Sequence, residues 1–357
     1  MTLRALLPAA IAILLIQPSP ASAHSGAASA GPAVPDAPEP RVKVEKVGEG
    51  SWCLFGQGGN VGVVVTPSSV LVVDTQYAPI APELLAEIRR LSPAPIEYVV
   101  NTHFHEDHTG GNAVMVREAP SARIVGHENV RRSMYGNPPR WAGEFPSRIA
   151  RLDAALTGGA AVTDGYRSAI EGVLTRLRRR LDAAVAFDPA SVTPPAISYG
   201  GSMRLFPGGE EIVLIHEAPG HTDGDSIVWV PSRNVVHMGD LFWNGIYPFI
   251  DVDGGGGSEG WIRNLDAILA MIPPDARVIA GHGPVGGPAE LRRFRSYLAD
   301  LRSAVGKAIA EGRTLDQAIA EIRLDGYEEI KASFMNLSLN IHQVWLEMGG
   351  SETAVAD

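Results

Sequence analysis

The stretch Asn101-Thr-His-Phe-His-Glu-Asp-His-Thr-Gly-Gly111 decides how the rest of this sequence is interpreted. The apolar run 96–100 before it predicts a buried strand, and Thr-Gly-Gly predicts a turn. Within six residues it carries four side chains of the kind that bind zinc or iron: His103, His105, Asp107 and His108. Residues two apart in an extended segment point the same way, so the first two histidines can hold one ion. The aspartate and the last histidine then turn toward a neighbouring position.

Three further candidate ligands lie far along the chain, each just beyond a predicted strand and beside glycine. They occur in Pro219-Gly-His221, Gly239-Asp240 and Gly281-His282. An α/β scaffold brings the ends of distant strands to one edge, and glycine permits the sharp exit of the chain. We therefore expect His221, Asp240 and His282 to join the first four ligands.

The region before the quoted stretch predicts a β-meander followed by a helix. Four short valine-rich runs lie within residues 42–74, and residues 80–91 carry apolar side chains at helical spacing. The last run ends in Asp74, a carboxylate that needs a partner if buried, so we expect it to brace the histidine loop from behind. Cys53 is the single cysteine, which excludes an internal disulfide and a cysteine-cluster metal site.

Residues 133–200 are interpreted as a helical insertion that lies over the site. Loop-like prolines are followed by a helical pattern whose apolar face is opposite Arg176 and Arg178–Arg180. A charged helix face is most often solvated, and we expect that here rather than a binding surface. The insertion interrupts a domain of residues 41–300, and residues 301–357 are predicted to form a C-terminal helical extension.

The N-terminal residues predict targeting rather than folded structure. Residues 1–23 combine Arg4, an apolar core too short to span a bilayer and the cleavage pattern Ala21-Ser-Ala23, as signal peptides do. Residues 24–40 are rich in Ala, Gly, Ser and Pro, which predicts a flexible linker. We therefore expect a periplasmic or secreted protein without stable membrane insertion.

The ordered pattern His-x-His-x-Asp-His, then His, Asp and His, resembles the metallo-β-lactamase superfamily over residues 42–285. The resemblance implies an αββα sandwich with a binuclear metal site at one edge. Carried over by position, it implies these ligands: His103, His105 and His221 for the first metal, Asp107, His108 and His282 for the second, and Asp240 as the bridge. Asp74 would then support a ligand from outside the metal site.

The residue at position 240 separates subfamilies within this resemblance. The first two subclasses of metallo-β-lactamase have Cys there and the third typically has Ser, whereas Asp is the pattern of glyoxalase II, lactonases and many general hydrolases. A genuine β-lactamase is thus an alternative rather than the expectation. Persulfide dioxygenases, which use one iron, are the oxidoreductase alternative. A non-catalytic binding protein of this fold would be expected to have lost ligand residues. Here, with Asp240, none of the seven is missing.

The ligand chemistry predicts a hydrolase. Two divalent ions held by Asp107, Asp240 and the histidines keep positive charge, which favours an anionic substrate, and they generate hydroxide at neutral pH. We predict that a metal-bridged hydroxide attacks a small acyl substrate (an ester, lactone, thioester or lactam), with Asp107 orienting it. Zinc is the expected metal, with iron or manganese as alternatives. The formal net charge of −10 argues against a nucleic-acid partner, and the oligomeric state stays open.

The segment that directly follows Asp240, residues 241–248, is expected to border the metals. Trp243 and Tyr247 can form an apolar wall with a polar tip. Asn244 can donate a hydrogen bond to a carbonyl or a developing oxyanion. The alternative is that the aromatic side chains pack into the core beneath the loop.

Export is testable on the purified protein. Cleavage after Ala23 should leave His24 as the mature N-terminus, because the small residues at positions 21 and 23 fit a signal-peptidase site. Intact-mass spectrometry of the soluble periplasmic fraction should find this species. An intact N-terminus in the membrane fraction would refute the prediction.

Overall fold

The computed structural model describes residues 41–135, 145–158, 161–185 and 189–352. The predicted signal peptide and linker, residues 1–40, lie outside these ranges. Within these ranges, every helix is either too short or too polar to span a lipid bilayer.

The first β-sheet has seven strands that follow one another in chain order. Strands β1 to β4 pair antiparallel and confirm the predicted meander, and β4 to β7 pair parallel. The strands are β1 Lys43–Gly48, β2 Ser51–Phe55, β3 Val61–Val65, β4 Val70–Val73, β5 Ile96–Asn101, β6 Arg123–His127 and β7 Ile197–Tyr199.

The second sheet has five strands in the spatial order β12-β11-β10-β9-β8. Strands β8 to β11 form an antiparallel ladder, and β12 adds to β11 in parallel. These strands are β8 Ser202–Leu205, β9 Ile212–Ile215, β10 Ile227–Val230, β11 Val235–His237 and β12 Arg277–Ile279.

The two sheets pack face to face because side chains alternate along each strand. On β4, Leu71 and Val73 share a buried cluster with Leu214 and Val228 of the second sheet. The alternate residues of β4 point the other way and belong to the cluster that includes the apolar stripe of the first helix.

Helices cover both outer faces, so the molecule is an αββα sandwich, as the sequence predicted. Helices α1 and α3 pack on the first sheet, and α6 to α10 share one large apolar cluster with the second. The helices are α1 Ala81–Leu91, α2 Glu106–Thr109, α3 Asn112–Glu118, α4 Glu128–Met134, α5 Phe145–Thr157, α6 Asp164–Val185, α7 Ser258–Met271, α8 Pro288–Ala310, α9 Leu315–Glu321 and α10 Leu337–Glu347.

Two regions differ in detail from the predicted division of the chain. Strand β7, Ile197–Tyr199, lies inside the expected insertion 133–200 and completes the first sheet. Three residues are too short to give a strand signal of their own. The expected boundary at residue 300 falls inside α8, a continuous helix. The helices of both regions are therefore built into the same apolar cluster.

Loops from both sheets meet at one edge of the sandwich, where parallel strands end. Asp74 follows β4, and Thr102 follows β5. The backbone N–H of Ser226 donates to the carbonyl of Thr102 at 2.7 Å, and the N–H of Asn60 donates to the carbonyl of Gly281, also at 2.7 Å. These hydrogen bonds join the sheets where the candidate ligands lie.

Candidate metal centre

The first group of ligand atoms comes from three separate loops. The loop after β5 supplies His103 and His105, whose Nε2 and Nδ1 atoms lie 3.1 Å apart. His221, in the loop before β10, places Nε2 2.9 Å from His105 Nδ1. Asp240 Oδ2 lies 3.3 Å from His221 Nε2 and 3.8 Å from His103 Nε2. These atoms surround a position at which a metal ion could bind.

The second group lies on the other side of the same aspartate. Asp107 Oδ2 is 3.2 Å from His282 Nε2 and 3.6 Å from His108 Nε2. Asp240 Oδ1 lies 3.1 Å from His108 Nε2 and 3.4 Å from His282 Nε2. Helix α2 brings Asp107 and His108 to this position by turning the chain directly after His105. The structure thus brings all seven predicted ligand residues together.

The residues of both groups fit metal ions. Ring nitrogens that face each other at this distance repel through their lone pairs unless a proton or a cation lies between them. Asp240 Oδ1 is buried and accepts no hydrogen bond from the described residues, a costly state for a carboxylate oxygen. Imidazole and carboxylate are also among the ligands that bind zinc in catalytic sites. A cation in each group would satisfy the atoms that the protein leaves unsatisfied.

Burial and the neighbouring carboxylates shift the pKa values of these histidines in opposite directions. Burial lowers the pKa of His221 to about 4 and holds that of His103 well below its ordinary value, so both imidazoles offer lone pairs. Burial opposes charge on His108 and His282 as well, but the carboxylate of Asp240 overcomes it and raises the pKa of His282 to about 9. The neighbouring imidazoles in turn hold the pKa of Asp240 well below its usual range despite burial. This aspartate is therefore a permanent negative charge.

Asp74 orients His108 from outside the ligand groups. Its Oδ2 lies 2.7 Å from His108 Nδ1, which leaves Nε2 of that ring to face the other ligands. Thr102 fixes the carboxylate by donating its backbone N–H to Oδ1 and its hydroxyl to Oδ2, at 2.8 and 2.7 Å. Asp74 has a positive φ of 65°, an uncommon conformation for a residue other than glycine.

Two of the remaining histidines are also fixed through the nitrogen that faces away from the ligand group. His221 Nδ1 lies 2.6 Å from the carbonyl oxygen of Phe249. His105 is turned the other way, because its Nε2 contacts Oδ2 of Asp251 at 2.9 Å and its Nδ1 faces the ligands. These contacts select the nitrogen that is available to a metal.

Asp251, which the sequence analysis did not single out, connects this centre to the helical insertion. Its Oδ2 also accepts a hydrogen bond from Nη2 of Arg180 on α6, at 2.5 Å. The expectation of a solvated arginine face is therefore wrong for Arg180, whereas Arg178 and Arg179 are exposed. Helical spacing could have indicated this difference. Arg176 lies four residues before Arg180, so both occupy a different face of the helix from their exposed neighbours.

Two glycines permit the close approach of loops to the ligands. A Cβ atom at Gly281 would lie 2.1 Å from Asp240 Oδ1, and one at Gly59 would lie 2.1 Å from the imidazole of His108. No side chain can be accommodated at that distance, so both positions require glycine for the ligands to keep their places.

Aromatic side chains border the second group. The ring of Trp243 packs on the imidazole of His282, with ring centres 4.4 Å apart, and is itself buried. Phe334 packs against Trp243 and is 61% exposed, so it forms part of the surface beside the centre.

The other two predicted substrate contacts have protein partners. Asn244 donates its amide N–H to the carbonyl of Pro284 at 3.0 Å and so braces the loop of His282. The ring of Tyr247 packs against Tyr297 of α8. The structure brings neither side chain into hydrogen-bond contact with the ligand residues in its described part, and a role of Asn244 or Tyr247 toward substrate stays a prediction.

An αββα sandwich with ligand groups at one edge is the architecture of a known class of metalloenzymes. The family model of the metallo-beta-lactamase superfamily matches residues 54–283. The chain belongs to this superfamily.

Two named relatives are similar to parts of this chain. The linear primary-alkylsulfatase of Pseudomonas sp. (strain ATCC 19151) is 21% identical over 275 residues, which are 73% of this chain and 49% of the relative. The lactamase-like protein NotP of Aspergillus sp. (strain MF297-2) is 37% identical over 110 residues, 29% of this chain and 34% of the relative. This chain thus spans about half the length of the alkylsulfatase that it matches.

Solved structures support the fold. The sec-alkylsulfatase Pisa1 from Pseudomonas sp. aligns with a TM-score of 0.62 and 18% identity, covering 87% of this chain and 50% of that one. The DIM-1 metallo-β-lactamase aligns with a TM-score of 0.50 and 18% identity, covering 73% of this chain and 98% of that one.

The contact between Asp251 and His105 predicts an effect on metal binding. Asp251→Asn should weaken metal affinity roughly 10- to 100-fold, the usual cost of losing an outer partner of a ligating histidine. Competition with a metal-binding dye measures this affinity directly. Asp253→Asn is the matched control, because Asp253 lies on the same loop and pairs with Arg148 rather than with a ligand. Equal losses in the two variants would contradict a specific role of Asp251.

Proposed function

We propose that this chain is a binuclear metal-dependent hydrolase that opens an acyl bond in a small substrate. The observation that carries the proposal is the position of Asp240, whose Oδ2 faces His221 and His103 while its Oδ1 faces His108 and His282. A carboxylate that offers one oxygen to each of two ligand groups is suited to bridge two ions.

The bound metals would supply the nucleophile and the electrophile. Two divalent ions about 3.5–4 Å apart lower the pKa of a shared water toward ~7 and polarise a carbonyl oxygen. The protein contributes a fixed frame for them, since His108, His221 and His105 are each held by a second contact. The carboxylates of Asp107 and Asp240 neutralise only part of the charge of two divalent ions, so an anionic substrate would be attracted.

Asp107 is the residue that we assign to proton handling. Its side chain is 20% exposed, whereas that of Asp240 is 3% exposed, so Asp107 is the carboxylate that water and substrate can reach. An ionised carboxylate at this position can orient an attacking water and accept its proton.

The donor atoms favour zinc. The first group offers three imidazole nitrogens and one carboxylate oxygen, a common tetrahedral zinc set. The second group has two imidazole nitrogens and two carboxylate oxygens, so it would also accept iron or manganese.

The comparisons favour two particular substrate classes, of which the first lies outside the acyl substrates. The likeness to an alkylsulfatase over 73% of this chain makes sulfate esters a second candidate. Lactams are a candidate because the fold is shared with β-lactamases. A mono-iron persulfide dioxygenase would need a metal ion in only one ligand group. Asp240 faces both groups, which favours two metal ions.

The proposed reaction can be tested with a panel of chromogenic substrates. The purified protein loaded with zinc should hydrolyse at least one 4-nitrophenyl ester, lactone, thioester or β-lactam, and chelation should abolish the activity. Asp240→Asn should reduce kcat/KM more than ~100-fold together with metal content, because even outer contacts of a metal site are worth 10- to 100-fold. Inductively coupled plasma mass spectrometry measures the metal content.

The control and the alternatives use the same preparation. Asp182→Asn removes one exposed carboxylate of α6 and should change neither metal content nor rate. Hydrolysis of alkyl sulfates alone would refute an acyl substrate and identify sulfate esters as the substrate class. Oxygen consumption with a persulfide, together with one bound iron, would refute the hydrolase and identify the dioxygenase.

A further inference from the structure

A small cavity lies beside the metal centre, between α6, the loop after Phe249 and the last helix. Its volume is about 30 Å³, more than the roughly 10–15 Å³ that a water molecule needs, so a small polar group can enter it. The residues that matter for its chemistry are Phe249, Asp251, Asp253, Arg148, Arg176 and Arg180. Phe249 and Asp251 also contact the metal-ligand residue His105, which links the cavity to the site.

Two of the three arginines are neutralised by carboxylates. Arg148 donates to both oxygens of Glu352 at 2.9 and 2.8 Å and to Asp253 at 2.7 Å. Arg180 donates to Asp251 at 2.5 Å and lies 3.7 Å from Asp253. The carboxylates at the cavity are therefore already engaged.

Arg176 differs from both. In the described residues no carboxylate lies within ion-pair distance of it, and its polar contact is the sulfur of Met335 at 3.9 Å, a weak acceptor. Its guanidinium lies over the ring of Phe249, 5.6 Å from the ring centre. A largely buried cation without a carboxylate partner is costly, and a cation–π contact offsets only part of that cost.

The electrostatics of Arg176 agree with its contacts. Burial and then the neighbouring charge of Arg180 lower the pKa of Arg176 to about 10, against the more distant carboxylates of Asp251 and Asp253. The guanidinium is still charged at neutral pH. It thus occupies a position at which an additional anion would be stabilising.

We propose that Arg176 binds an anionic group of the substrate, a carboxylate at the end opposite to the bond that is opened. The ring of Phe249 contacts both the guanidinium of Arg176 and the imidazole of His105, at 5.6 and 5.9 Å between centres, so Arg176 is one aromatic ring away from this metal-ligand residue. A guanidinium binds a carboxylate through two parallel hydrogen bonds, which gives both affinity and orientation. The substrate class is therefore an ester or amide of a dicarboxylic acid with one free carboxylate. This inference rests on the proposed function, whose substrate it narrows.

The kinetic test compares substrates that differ in the distal charge alone. The substrates are the mono-4-nitrophenyl esters of succinic, glutaric, adipic, pimelic and suberic acids, each with the ester of the monoacid of equal length. For the best diacid ester, Arg176→Gln should raise KM roughly 10- to 100-fold with little change in kcat, the cost of a charged hydrogen-bond pair. The monoacid ester should be unaffected. Arg176→Lys should give a KM between those of the wild type and Arg176→Gln, since lysine keeps the charge but cannot form two parallel hydrogen bonds.

The chain provides a matched control on the same helix. Arg179→Gln removes the same charge from an exposed position of α6 and should alter neither ester. Metal content is measured for every variant. If Arg176→Gln impairs both esters alike, or lowers metal content, Arg176 supports the structure rather than the substrate, and the proposal is overturned.

A binding experiment decides the point without turnover. Calorimetric titration of the zinc-loaded protein with the same diacids and monoacids should show tighter binding of at least one diacid. Arg176→Gln should abolish that preference and Arg179→Gln should keep it. A wild-type protein that prefers no diacid overturns the inference. Absence of hydrolysis together with an Arg176-dependent preference would instead refute the hydrolase and leave the anion site standing.

Discussion

The buried carboxylate of Asp240 is the constraint on which the rest of the site depends. It lies among four imidazoles, and the hydrogen bonds of the described residues leave its Oδ1 unsatisfied. Burying such a group without a counter-charge would cost several kcal/mol, so the surrounding chain must provide cations or positions for them. Gly281 has no side chain and so leaves space for the carboxylate of Asp240. Asp74 fixes the ring of His108, whose other nitrogen faces Asp240.

The sandwich explains how one carboxylate can face two ligand groups. Strands β4 and β5 of one sheet and β11 and β12 of the other end at the same edge, and hydrogen bonds such as that from Asn60 to Gly281 join the two sheets there. The helical insertion then adds to this frame rather than covering it loosely. Arg180 donates a hydrogen bond to Asp251, and Asp251 contacts His105, so a helix distant in sequence takes part in positioning a candidate ligand.

Much of this was predictable from local sequence patterns. The strands of residues 42–74 follow from valine-rich runs between turns, and the candidate ligand set follows from the spacing of His103 to His108 and from glycine beside His221, Asp240 and His282. What could not be predicted depends on long-range contacts. Asp251 and Arg180 are 71 positions apart, so nothing local shows that they pair. Strand β7 has only three residues, and its place in the sheet comes from pairing with β6.

Anomalous X-ray diffraction at the zinc edge can show whether Asp240 bridges two metal ions. Crystals of the zinc-loaded protein should give two anomalous peaks about 3.5–4 Å apart. Each Asp240 oxygen should lie about 2.0–2.2 Å from one of them. A single peak, or two peaks of which Asp240 contacts one, would refute a bridging role of Asp240.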